Sequence, residues 1–426
     1  MSRRIVSVAA AGGAAAGLAV QAAAASPGKH AAPTTHHAAA APAKRAVVRS
    51  PHMLIGINDE QATLYGDPAQ AFKTLKTLRA QVLRVNLYWG GTKWAVANRK
   101  PTDPTDPGDP AYNWALYDRL VQYAHTYGIK VVFSILFTPG WANGGQPRTH
   151  PPTDMKALQD FAYAAAERYS GYWTPPSWQA QPSLGIGPSF GPLPQVNLWT
   201  AWNEPNNPIW LAPQYKRVGG KWVVWSAVQY AKICNAVYRG VHSVLISPER
   251  GPIPGERVAC GVTDPKGNDA PRSSRPSVDP ITFLTAAKKA GMGPFDAYAH
   301  NPYSSSGGES PFYVPKGKTA RRIQMGNLGV LQRLLTKLYG PKHLWITEYG
   351  YQTNPPDRTI WGTSWRNQAL YMKQAVTLAR SMPRVDMFLW LLIRDEPNLG
   401  GWQSGLETVT GKHKPAWNTF RTLPRG

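Results

Sequence analysis

Cysteine is nearly absent: the chain of 426 residues has two, Cys234 and Cys260, too few for the disulfide framework of a small secreted domain. They can form one disulfide closing a modest loop; no Cys or His cluster at zinc spacing joins them, and no metal is expected. Acid is scarce too, with 24 Asp and Glu against 47 Lys and Arg, a formal charge of +23. The basic residues are spread along the chain and no nucleic-acid fold signature accompanies them, so nucleic acid is not an expected partner. The charge points either to association with anionic polymers or to a general property of the surface. No Gly-x-Gly-x-x-Gly turn follows the first strand-like run and no Gly-x-x-x-x-Gly-Lys-Ser/Thr loop occurs, so no cofactor is expected.

Long apolar runs are missing after the first 25 residues. Within them, Met1-Ser2-Arg3-Arg4 precedes an Ala/Gly/Val-rich run that closes on Ala22, Ala23, Ala24 and Ala25. Its length would span a membrane marginally, but small residues in place of Leu favour a signal peptide cleaved near Ala25 over an anchor. The expectation is a secreted, extracellular protein with no stable membrane insertion. Residues 26–50 hold Ala, Pro, His, Lys and Arg with neither acid nor aromatic ring, a linker that cannot bury a core. His30, His36 and His37 in it read as solvated. Residues 51–426 suffice for one large domain, expected as a monomer.

Strand-like and helix-like patterns alternate through that domain. Strands are expected at Leu54–Asn58, Val82–Trp89, Lys130–Phe137, Val196–Trp202, Ser243–Ser247, Phe295–His300, Leu344–Thr347 and Val385–Leu391. Helices are expected after Asp67-Pro68, over 113–127, from Asp154 to Tyr169, over 226–241, after Asp279-Pro280, over 321–339, over 364–381 and over 414–422. Two stretches resist assignment: Gly171–Gln195, and a long loop containing Cys260. Near-continuous apolar strands alternating with helices predict parallel pairing and an α/β fold, the (β/α)8 TIM barrel, whose active site forms at the strand C-termini.

The chain is organised around Val196-Asn197-Leu198-Trp199-Thr200-Ala201-Trp202-Asn203-Glu204-Pro205. This apolar run stops on a carboxyl, with proline ending the strand. A second run, His343 to Gly350, carries Glu348 at its end. Two carboxyls at strand ends are what glycosidic bond cleavage requires, one as proton donor and one as nucleophile or base. Each alone has a plainer reading, Asn-Glu-Pro as a strand terminator and Glu348 as an ion-pair partner. The pair, on the fourth and seventh strands, is more specific than either. Arg84 in mid-strand needs a carboxylate partner. Asn203 could donate to a sugar hydroxyl, Tyr303 could orient the nucleophile and His300 could bind sugar or acid. Trp141 and Trp390 offer flat faces for sugar rings, while Trp361, Trp365 and Trp402 read as either loop packing or further subsites.

These motifs resemble the large clan A of glycoside hydrolases, retaining (β/α)8 enzymes. Trp202-Asn203-Glu204-Pro205 is similar to that clan's acid/base motif and Ile346-Thr347-Glu348-Tyr349-Gly350 to its nucleophile motif. Arg84, His300-Asn301-Pro302-Tyr303, Trp390 and the closing Lys414-Pro415-Ala416-Trp417 also match, and families 5 and 39 look nearest. The resemblance implies a catalytic barrel over 51–426 that cleaves β-glycosidic bonds of a polysaccharide or oligosaccharide by double displacement, with Glu204 as acid/base and Glu348 as nucleophile. The rival readings are a carbohydrate-binding barrel without turnover and a basic protein attached to anionic wall polymers.

Overall fold

Val82-Leu83-Arg84-Val85-Asn86-Leu87-Tyr88 shows how this sequence makes a barrel strand. Side chains alternate across a strand. Leu83, Val85 and Leu87 join the large core between strands and helices, while Val82 joins a smaller core inside the barrel with Val132, Leu198, Ala259, Ala297, Trp345, Met387 and Leu389. Arg84 and Asn86, two and four residues on from Val82, therefore share the lumen side.

The computed structural model describes residues 47–176 and 191–426. The signal-like segment, nearly all of the linker and much of the Gly171–Gln195 stretch lie outside the described residues. Eight strands close into a parallel barrel: β1 Leu54–Asn58, β2 Val82–Tyr88, β3 Lys130–Leu136, β4 Leu198–Ala201, β5 Arg257–Thr263, β6 Ala297–His300, β7 His343–Tyr349 and β8 Val385–Leu391. Neighbours in sequence are neighbours in the barrel, and β8 pairs with β1 from Leu54↔Met387 to Asn58↔Leu391.

The helices are α1 Pro68–Thr77, α2 Ala115–Thr126, α3 Met155–Arg168, α4 Trp225–His242, α5 Pro280–Lys289, α6 Leu328–Tyr339, α7 Trp365–Ser381 and α8 Pro415–Thr422. Asp67, Asp154, Asp279 and Ser364 cap four of them, accepting from backbone N–H groups of the first turn. Such caps contribute about 1 kcal/mol each. No helix among the described residues is long and apolar enough to cross a membrane.

The fifth strand is not where its pattern was expected. Leu245–Ser247 forms a small antiparallel hairpin with Gly251–Pro252, and Leu245 is half exposed. The barrel position belongs to Arg257–Thr263, which contains Cys260 and so is no loop. Gly261 breaks the apolar run there, and it has to be glycine: its φ is +93° and a Cβ would meet the Tyr298 ring at 2.4 Å. Cys260 and Cys234 form a disulfide with Cα atoms 5.8 Å apart, fastening α4 to β5. The helix expected from Arg321 starts at Leu328, after a 3-10 turn at Met325–Asn327.

Candidate active site

Alternation places a polar layer above the apolar lumen. Ser134 on β3 and Thr200 on β4 lie two residues beyond Val132 and Leu198. The Ser134 hydroxyl oxygen accepts from Arg84 Nε at 2.8 Å and from Thr200 Oγ1 at 2.6 Å. Arg84, 1 % exposed, directs its other nitrogens upward: Nη1 meets Glu348 Oε1 at 2.5 Å and Nη2 donates to Asn203 Oδ1 at 2.9 Å. A buried guanidinium thus ties the end of β4 to the end of β7.

Glu348 reaches this position through a register irregularity. Ile346 and Tyr349 both pack in the outer core, three residues apart, and β7 slips against β8 between them. Such bulges re-aim side chains. Here the slip turns Glu348 to the lumen, where Oε2 accepts from the Tyr303 hydroxyl at 3.1 Å. Glu204 is placed by a sharp turn after β4. Trp202 and Glu204 adopt positive φ values of 68° and 37°, the Glu204 N–H donates to Val262 O at 2.8 Å, and the Asn207 N–H donates to Glu204 O at 2.9 Å. Non-glycine residues held in this region cost of order 1–3 kcal/mol and cluster at functional sites.

The two carboxyls differ in surroundings. Glu348 has a guanidinium and a phenol. Glu204 has only neutral donors, Asn301 Nδ2 to Oε1 and Trp210 Nε1 to Oε2, each at 3.0 Å. Burial first, then the nearby charges of Asp264 and Glu348, push the Glu204 carboxyl well above the usual range, which favours its protonated form. Burial, with the charges of Glu348 and Glu204, also drives Tyr303 up, which keeps its hydroxyl a donor. One carboxyl has burial and neutral donors that favour its proton and the other an arginine that favours its charge, the asymmetry that a general acid and a nucleophile require.

Two expected contacts are corrected. On β6, Ala297 and Ala299 line the lumen, so His300, one residue on, faces the outer layer. It is fully buried, Nδ1 pairs with Thr263 Oγ1 at 2.8 Å and Nε2 with Ile323 O at 2.9 Å. Burial lowers it to about 4, and it acts as a neutral strut without a free ring nitrogen. Trp390 alternates with Met387 and Leu389 in the same way, is fully buried in the outer core, and its indole donates to Ser404 O at 2.9 Å, so it offers no face to a sugar. Trp141, half-buried in the loop after β3, packs edge-on against Trp89 and donates to Ala97 O. Trp402 stacks on Tyr303 with centroids 5.2 Å apart. Trp365 is fixed by Pro355 O, which accepts its indole N–H.

Four residues that contact or flank the carboxyls were not singled out from the sequence. Asn301 lies between Glu204 and Thr347, whose hydroxyl donates to Asn301 Oδ1 at 2.8 Å; it stands inside the His-Asn-Pro-Tyr motif, where the histidine drew attention. Trp210 follows Glu204 by six positions in an irregular loop. Asp264 directly follows β5, which pattern reading misplaced. Glu60, just beyond β1, accepts from the Asn86 N–H at 3.1 Å and from the Tyr88 hydroxyl at 3.0 Å, and burial pushes it up to about 7. Among the described residues no group of three or more His, Cys, Asp or Glu could hold a metal ion.

No protein-family model matches the sequence, and comparison with curated proteins gives no match. Solved structures do share the fold. A family 39 glycoside hydrolase from Bacteroides cellulosilyticus WH2 aligns over 88% of this chain and 64% of its own length, at 16% identity and a TM-score of 0.55. A glucosidase from Croceicoccus marinus aligns over 88% and 67%, at 14% identity and 0.56. Fungal β-1,4-galactanases align over 87% and 100%, at 13% identity and 0.52. This chain is thus similar in fold to all three: it is a (β/α)8 barrel.

Proposed function

We propose that this chain is a secreted retaining glycosidase that cleaves β-glycosidic bonds of a polysaccharide or oligosaccharide. The observation that carries the reading is the unequal pair of carboxyls at the barrel mouth, Glu348 on the Arg84 guanidinium and Glu204 among the neutral donors Asn301 and Trp210, where burial favours its protonated form. Glu348 attacks the anomeric carbon while Glu204 protonates the departing oxygen. Glu204 then takes a proton from water, which releases the sugar from Glu348 with the original configuration. Asn203, beside the acid and oriented by Arg84, is the donor for the hydroxyl next to the reacting carbon. Tyr303 keeps the nucleophile oriented. The similarity to a family 39 glycoside hydrolase, a glucosidase and β-1,4-galactanases supports the reaction class, and the signal-like first 25 residues support export.

Reducing-sugar release from a polysaccharide panel, followed by proton NMR of the first anomer released, tests this. Release with retention is expected; binding without release would leave a carbohydrate-binding barrel instead. The charge belongs to a separate property. Association with anionic polymers is supported by a cavity of about 590 Å³ at the N-terminal end of the barrel, lined by Arg49, His52, Lys130, Arg257, His343 and Arg384, with Asp386, which pairs with Arg257 and His343, the one acid among its lining residues.

A further inference from the structure

A third carboxyl stands at this end of the barrel. Asp264 follows β5 directly and is 8 % exposed. Its Oδ1 accepts from the Lys266 N–H and its Oδ2 from Asn207 Nδ2, both at 2.9 Å. The Asp264 N–H donates to Asn206 Oδ1 at 2.8 Å, and Asn206 Nδ2 returns a bond to Asp264 O at 3.1 Å. With the Glu204 N–H on Val262 O, the turns after β4 and β5 form one stitched unit. The backbone is left-handed at Glu204, φ 37°, in the turn after β4, and at Val262, φ 48°, near the end of β5, conformations that persist only where surrounding bonds over-determine them. The Glu204 and Asp264 carboxyls are thereby held on adjoining strand ends.

Charge is distributed unevenly over the three. Glu348 has Arg84. Burial raises Asp264, opposed by the Lys266 ammonium and by its hydrogen bonds from the Lys266 N–H and Asn207; that ammonium lies 4.6 Å over the Trp361 ring. Glu204 has no cation of its own. The titratable groups around it are Asp264 and Lys266 beyond β5, Tyr303 beyond β6, Glu348 on β7 and Arg84 on β2. Of the two neighbouring charges that favour its protonated form, Asp264 acts more strongly than Glu348, after burial itself.

We infer that Asp264 is a positioning residue of the acid/base site, a carboxyl fixed on the strand end that adjoins the Glu204 turn and held independently of the nucleophile. The inference rests on the double-displacement reading. In the first step an oxygen of Glu348 bonds to the anomeric carbon, the bond to the leaving oxygen breaks, and the Glu204 proton goes to that oxygen. Glu348 is then a neutral ester and no longer strengthens Glu204. In the second step Glu204 must act as base, taking a proton from the water whose oxygen displaces Glu348. Asp264 takes part in neither bond change, so it keeps its Lys266 and Asn207 partners through both steps. It is the fixed neighbour that Glu204 keeps when the partner charge is gone.

Asp264→Asn, which keeps the size of the side chain, tests this through the pH dependence of kcat/KM on an alkyl β-glycoside, whose poor leaving group needs the acid. The alkaline limb, where Glu204 loses its proton, is expected to move down by roughly one pH unit, the size of a like-charge effect at close range, with the acid limb in place. Pre-steady-state traces should show the second step slowed more than the first. A uniform fall in rate with an unmoved or raised alkaline limb would overturn the inference and leave Asp264 a structural staple. Thermal denaturation reports whether the variant folds. Should it not, Lys266→Met decides: removing the cation is expected to raise the alkaline limb, and a limb unmoved or lowered overturns the inference. Full activity in Glu204→Ala would instead remove the acid/base assignment on which it rests, a separate outcome.

Discussion

Arg84 Nη1 lies 2.5 Å from Glu348 Oε1, an ion pair that joins a fully buried guanidinium on β2 to a largely buried carboxyl on β7. The same guanidinium holds Asn203 and Ser134, so one side chain sets the Glu348 carboxyl, the Asn203 amide and the polar floor together. Arg84→Met leaves Glu348 without its cation. The expected outcome is a loss of about 3–5 kcal/mol in denaturant unfolding, together with a fall in kcat/KM of at least 100-fold. Arg84→Lys keeps the charge and loses the fork, so stability should recover more than activity.

Trp210 makes the complementary prediction at the acid. Its indole N–H donates to Glu204 Oε2 and favours the ionised form. Trp210→Phe keeps the ring, which stacks on Phe137, and deletes the donor. The alkaline limb of the pH–rate profile should move up. Set beside Asp264→Asn, which moves it down, the two shifts of opposite sign separate a hydrogen bond from a charge.

Much of this site was legible in the sequence. β2, β4, β7 and β8 are nearly unbroken apolar runs, and counting strands places Glu204 and Glu348 at the ends of the fourth and seventh. What could not be read has a physical cause in each case. β5 carries Cys260 and Gly261 where a β-branched residue would have announced it, so Ser243–Ser247 took its place and Asp264 stayed hidden. His300 and Trp390 were given to the substrate by motif, whereas strict alternation along β6 and β8 turns both outward. Glu348 violates alternation, and only the register slip in β7 explains why it faces the lumen.

Stability should depend on pH with a definite sign. Burial raises Asp59 to about 6, Glu60 to about 7 and Glu256 to about 8. A carboxyl raised on folding contributes stability that is present below its unfolded value near 4 and lost as pH rises through the folded value. His300, lowered to about 4, acts oppositely and costs stability as pH falls from about 6.5. Three carboxyls outweigh one imidazole. The melting temperature is therefore expected to be higher at pH 5 to 6 than at pH 8, and Glu60→Gln should flatten the alkaline decline, as calorimetry across that range would show.

The roles of the two glutamates are separable with a small nucleophile. With an activated aryl β-glycoside and added azide, Glu204→Ala should form its glycosyl–enzyme without needing the acid, and azide should regain part of the rate, giving a glycosyl azide of retained configuration. Glu348→Ala should lose hydrolysis and gain nothing by that route. The configuration of the azide product, read by proton NMR, is the decisive measurement: a retained product from Glu204→Ala alone is the result expected, and full hydrolysis by either variant, or the two responses exchanged, would contradict the assignment.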